Sequence, residues 1–137
     1  VFAVQVVSPE SVSYTGEAAR VIARTVEGGD IAFEAGHAPF IGTLAVWSVE
    51  VVRDDGERDA FAVHRGFVQV AGNQVTILSD VSERADEIDV ARAEAALERT
   101  EAALTADRDD EAAAAAKARA ELRLRVAAEV SSGAPQS

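Results

Sequence analysis

The sequence predicts an α+β chain: an N-terminal antiparallel β sandwich, or flattened barrel, followed by a C-terminal hairpin of two helices. Two observations carry this. As far as Ser79, short alternating apolar runs are separated by Gly, Pro, Asn and Asp, the pattern of a sheet built from hairpins. Within Val75 to Ala93 the hydrophobic period then changes. Val75, Ile77 and Leu78 continue a strand, with Leu78 expected inside, whereas Val90, Ala93 and Leu97 recur at the three-to-four spacing of a helix. The boundaries expected are a sandwich over 1–84, a helical hairpin over 85–130 and a disordered tail over 131–137.

Taken in order, Phe2, Val4 and Val6 alternate in a first strand that Ser8-Pro9 closes, because proline cannot donate to a ladder. Val12 to Tyr14 is a short extension ending in a Thr15-Gly16 turn. Ala19 to Val26 places Val21, Ala23 and Thr25 on one face. Glu27 to Asp30 turns the chain back through Ile31 to Phe33. Glu34 to Phe40, with Gly36-His37-Ala38-Pro39, is an irregular loop. Leu44 to Arg53 reads as one strand, Asp54-Asp55-Gly56 as a hairpin turn into Asp59 to His64, and Gly72-Asn73 as the turn between Phe67 to Val70 and Val75 to Leu78.

Ser79 to Glu87 is a polar joint. Asp89 suits a helix N-cap, where a short carboxylate accepts backbone N–H groups that have no partner inside the helix. No glycine follows until Gly133, so Val90 to Ala106 and Glu111 to Val130 read as helices, with Asp107 to Asp110 looping between them and capping the second. Val90, Ala93, Leu97 and Leu104 form a narrow stripe on the first. Ala116, Ala120, Leu124 and Ala127, widened by Leu122, Val126 and Val130, form a thin one on the second. Alanine faces bury little area, so the arm should be weakly held and free to detach.

A chain of 137 residues can bury a core without staples, and with no cysteine neither disulfides nor thiolate metal sites are available. No apolar run reaches the roughly 20 residues that span a bilayer, so no direct membrane insertion is expected. The net charge of -11 argues against nucleic acid and anionic lipid as partners. The chain should stay in the cytoplasm, soluble or held at a surface by a partner. The charge is uneven: Glu83 to Glu111 is mostly acidic, while Lys117, Arg119, Arg123 and Arg125 form a basic stretch suited to an acidic partner. The glycines make no P-loop or dinucleotide fingerprint, and no Ser, His and Asp set supports independent chemistry. His37 and His64 are far apart in sequence, which makes a metal site improbable.

Three segments, V-V-S-P-E near the start, G-H-A-P after the second long strand and V-T-I-L-S-D-V-S-E-R-A-D-E-I-D-V-A-R-A at the joint, occur in an order that resembles the epsilon subunit of bacterial F-type ATP synthase. The resemblance covers Val4 to about Val130. It implies a non-catalytic central-stalk subunit, peripheral to the cytoplasmic face of the bacterial plasma membrane, with the gamma subunit, the c ring and the catalytic alpha/beta hexamer as partners. It also implies that no cofactor is required and that ATP is a candidate regulatory ligand. It further implies that the helical hairpin either folds on the sandwich or extends along gamma and blocks ATP hydrolysis. The competing reading is a free-standing cytosolic ATP sensor.

The same resemblance assigns roles. Ile88, Asp89, Arg92 and Ala93 match a nucleotide motif, joined by Glu83 and Arg99, with Arg119 and Arg123 as further phosphate partners. Arg92 and Arg99 lie two turns apart on nearly one helical face, which a phosphate chain could bridge. The plainer reading is that Asp89 caps the helix, Ile88 packs on the sandwich and Arg92 pairs with a nearby acid. Lys117, Arg119, Arg123 and Arg125 are the inhibitory contact, against the plainer reading of a solvated face. Glu27, Asp30 and His37 face the c ring, and His64, in a strand beside Val63, reads as structural.

Overall fold

The computed structural model describes the backbone of residues 1–9 and 11–133, and the side chains of these apart from 11, 13 and 129–133. Ten strands come first: β1 (Phe2–Ser8), β2 (Ser11–Ala18), β3 (Arg20–Thr25), β4 (Gly29–Glu34), β5 (Phe40–Leu44), β6 (Trp47–Val52), β7 (Arg58–Val63), β8 (Gly66–Ala71), β9 (Gln74–Ser79) and β10 (Ser82–Arg84). A 3-10 turn (Ala85–Glu87) leads to the helices α1 (Val90–Ala106) and α2 (Glu111–Gly133). The strands form one sheet in the order β10-β7-β6-β3-β5-β8-β9-β1-β2, with β4 on β3. Inward residues of β1 to β9 meet across the curled sheet. Phe2, Val4, Val6, Val21, Phe33, Val49, Val51, Phe61, Val63, Val68 and Ile77 are buried together in the resulting core.

Several local expectations are corrected. Thr15-Gly16 is not a turn but lies within β2, opposite Gln5 and Val4 of β1. The Tyr14 ring covers Gly16, so the glycine accommodates a close approach rather than a reversal. Leu44 to Arg53 is not one strand: the chain breaks at Ala45-Val46, where the Ala45 N–H donates to Arg24 O at 2.9 Å and passes the chain from β5 to β6. Phe40 belongs to β5 rather than to the preceding loop. The expected turn at Glu27 to Asp30 also shifts, because Asp30 is in β4, paired with Arg24 of β3. The polar joint holds β10 and the 3-10 turn. β1 pairs with β9 in parallel, so the sheet is antiparallel except at that seam.

Leu78, expected inside, is 41% exposed beside Phe67, its partner across β8 and β9. The side chains between them alternate inward as Val68 and Ile77. Gly66 marks a close crossing: a Cβ there would lie 1.8 Å from the Leu78 carbonyl oxygen, so the β8–β9 pairing demands glycine.

The helices follow the cap residues. Asp89 Oδ1 accepts from the Arg92 N–H at 3.0 Å, and Asp110 Oδ1 accepts from the Ala113 N–H at 3.0 Å. Asp107 bends the connection by accepting from the Asp109 N–H at 3.0 Å. α2 runs on to Gly133, past the expected end at Val130; the remainder of the expected tail, 134–137, and the Val130 side chain lie outside the described residues. Ala93 and Thr100 of α1 and Ala113 and Ala120 of α2 are buried. Val90, expected on the apolar stripe, is 44% exposed. α2 rests on the outer face of β7 through Leu122 and Val126, which pack with Ala60, Ala62, Ala85 and Ile88. This second cluster is small and rich in alanine, and it is separate from the sandwich core.

Candidate functional site

The arm is attached to the sandwich by polar side chains placed around that small cluster. Glu83 on β10 sits where the sheet gives way to the arm, and its Oε1 accepts two hydrogen bonds. Arg123 Nε of α2 donates at 2.6 Å and His64 Nε2 at 2.9 Å. A carboxylate only accepts, so His64 carries a proton on Nε2, and its buried Nδ1 has no hydrogen-bond partner among the described residues. The His64 bond first, and then the Arg123 bond and charge, hold the Glu83 carboxyl below the usual range, against the opposing effect of burial.

The second attachment is a stack. The Arg125 guanidinium lies 3.3 Å from the centre of the Trp47 ring, and its Nη2 donates to Ser48 Oγ at 2.9 Å. Arg24 of β3 also lies over Trp47, at 3.6 Å. Both are too close to the ring centre to share a face, so the indole sits between them. Arg24 is fixed in turn by Asp30, through Nε at 2.8 Å and Nη2 at 3.4 Å. β10 is itself anchored beside this region: Arg84 Nη2 donates to buried Asp59 Oδ1 at 3.0 Å, and Arg53 approaches the other Asp59 oxygen at 3.6 Å. Burial and then the Asp59 charge push the adjoining Tyr14 hydroxyl above its ordinary pKa.

The structure divides the residues named from sequence. Glu83 and Arg123 meet each other. Ile88 packs against the sandwich cluster, Asp89 caps α1 and Ala93 is buried. Arg92, Arg99 and Arg119 are exposed, and among the described residues none of them has an acidic partner within ion-pair distance. Of the basic stretch, Arg123 and Arg125 bond to the sandwich, whereas among the described residues Lys117 and Arg119 do not. Glu27, Asp30 and His37 are not brought together. Glu27 lies in the turn before β4 and Asp30 near the strand's start, and His37 lies beyond its other end, where its Nδ1 donates to Ala38 O at 2.7 Å and its ring meets Phe33 edge-on at 5.0 Å.

Trp47, Ser48, Arg24 and His64 were not legible as parts of this attachment. The only signal was a lone tryptophan opening a strand, a flat surface on which a guanidinium can stack. Among the described residues no cluster of His, Cys, Asp and Glu could hold a metal ion, and no helix is long and apolar enough to cross a membrane.

Residues 1–85 match the family model for the ATP synthase delta/epsilon chain beta-sandwich domain. The ATP synthase epsilon chain of Streptomyces coelicolor is 40% identical over 127 residues, covering 91% of this chain and 94% of that protein. The chain belongs to the ATP synthase epsilon chain family. The epsilon chain of Thermobifida fusca is 42% identical over 128 residues, covering 90% of this chain and 83% of its own length. That of Streptomyces avermitilis is 42% identical over 99 residues, covering 72% and 79%. Epsilon chains are non-catalytic, in keeping with the expectation of no independent chemistry. The fold resembles a chain in the cryo-EM structure of Euglena gracilis mitochondrial ATP synthase, OSCP/F1/c-ring in rotational state 1, with a TM-score of 0.68 at 23% identity, covering 96% of this chain and 79% of that one.

Proposed function

We propose that this chain is a central-stalk subunit of a proton-translocating, membrane-bound ATP synthase, and that its hairpin is a brake on ATP hydrolysis held off by a latch, the bonds of Arg123 to Glu83 and of Arg125 to Trp47 and Ser48. One observation supports this most strongly. Arg123 and Arg125, half of the basic stretch that would grip an acidic face of the catalytic hexamer, are occupied by Glu83, Trp47 and Ser48 while the arm is folded. The same guanidiniums cannot serve both contacts, so folding and braking exclude each other. On this reading the sandwich sits between gamma and the c ring. Exposed Ile41, Phe67 and Leu78 on the outer face of β5, β8 and β9 would meet gamma.

ATP acts here as a regulatory ligand that favours the folded arm. Arg92, Arg99 and Arg119 are exposed and free of ion pairs among the described residues, which leaves their donors open to phosphate oxygens. The test of the brake is truncation after Asp86 in the assembled complex. ATPase activity should rise, and unchanged activity rejects the arm as an inhibitor.

A further inference from the structure

We propose that Asp30 couples the tip of the β3–β4 hairpin to the docking of the arm through the stack of Arg24, Trp47 and Arg125, so that a cationic partner group engaging Asp30 loosens α2. The tip is open to a partner: residues 26–30 are all exposed, and among the described residues Arg24 alone hydrogen-bonds the Asp30 carboxylate. The arm reaches the same stack from the other side, where Arg125 covers the second face of the ring. Two guanidiniums held against one indole gain from its π face and repel each other through it. The Asp30 carboxylate offsets that repulsion and holds Arg24 over the ring.

Asp30 and Arg125 therefore sense each other across the stack. The carboxyl is held below its ordinary range first by the Arg24 hydrogen bond, with a further contribution from the Arg125 charge. Because coupling is reciprocal, what is done to Asp30 is returned to Arg125. A lysine or arginine that draws the carboxylate away leaves two adjacent cations uncompensated. Of these two, Arg125 sits on the element with the smaller apolar hold. The register makes this route available: Asp30 stands directly opposite Arg24 in the β3–β4 ladder.

The proposal rests on the stalk reading only for what meets the hairpin tip, since the coupling is a property of the chain alone. Amide exchange across α2 is measured in the full chain for wild type, Asp30→Asn, Arg125→Ala and the double variant. Glu34→Gln, on the same hairpin and paired with Arg20, serves as the control. Asp30→Asn should speed exchange in α2 by about fivefold, the low end of typical coupling factors. Glu34→Gln should not, and Asp30→Asn should add nothing once Arg125 is gone. Wild-type exchange in Asp30→Asn, an equal effect from Glu34→Gln, or a full Asp30→Asn effect without Arg125 overturns the coupling. No ATPase measurement enters, so either outcome leaves the brake to be judged by truncation.

Discussion

Arg123 Nε lies 2.6 Å from Glu83 Oε1, a charge-assisted bond that joins the middle of α2 to β10 at the sheet's edge. Neither side chain is fully exposed: Arg123 is 29% and Glu83 31% accessible. The carboxylate oxygen that accepts from Arg123 also accepts from His64, so loss of its charge weakens both bonds at once.

Acid should therefore undock the arm. The Glu83 pKa is lowered in the folded chain, so its contribution is fully present above the ordinary value of 4.5 and is lost as pH falls through the depressed folded value. Trp47, the only tryptophan, lies under Arg125 and reports the change by its emission. On titration from neutral pH, Glu83→Gln should lack the part of the acid transition that this carboxylate supplies. A transition unchanged by Glu83→Gln contradicts the assignment.

The apolar hold of the arm should be separable from the sandwich. Leu122 is buried on the alanine-rich cluster and not in the main core. Leu122→Ala should cost about 2 to 3 kcal/mol of docking, the lower part of the range for such truncations. Hydrogen exchange should rise in α2 and stay unchanged in β1, β8 and β9. Uniform loss of protection throughout the sheet would mean that the arm and the sandwich fold as one unit.

Gly66 should tolerate no side chain. The Leu78 carbonyl oxygen stands 1.8 Å from where a Cβ would go, and backbone cannot swing aside as a flexible side chain can. Gly66→Ala should separate β8 from β9 and lower stability by about 3 kcal/mol or more, at or above the upper end of the usual range for single substitutions. Thermal unfolding reads this directly.

The helical half was the more legible in sequence. Asp89 and Asp110 are caps whose mechanism is local, and a long stretch without glycine leaves little else for the backbone to do. The strand boundaries failed where the deciding interaction was distant. The run Thr43-Leu44-Ala45-Val46-Trp47 contains no turn residue, yet it changes partners between β8 and β7 because the sheet curls there. Gly16 carried a turn signal that pairing with β1 overrode.

The site was legible as a set of charged residues but not as an arrangement. Glu83 and Arg123 were both visible as functional candidates. That they bind each other depends on which face of α2 meets β7, and the helix's alanine-rich surface marks that face only weakly. Trp47 gave no sign of which arginines it would stack with, since Arg24 and Arg125 come from opposite ends of the chain.

The account turns on whether the latch restrains a brake, and the most direct measurement is ATP hydrolysis by the assembled complex carrying Glu83→Ala. Freeing Arg123 should lower the hydrolysis rate below wild type, the opposite of truncation after Asp86, and the truncation introduced into Glu83→Ala should remove the effect. A Glu83→Ala complex that hydrolyses ATP as fast as wild type, or faster, would contradict the account.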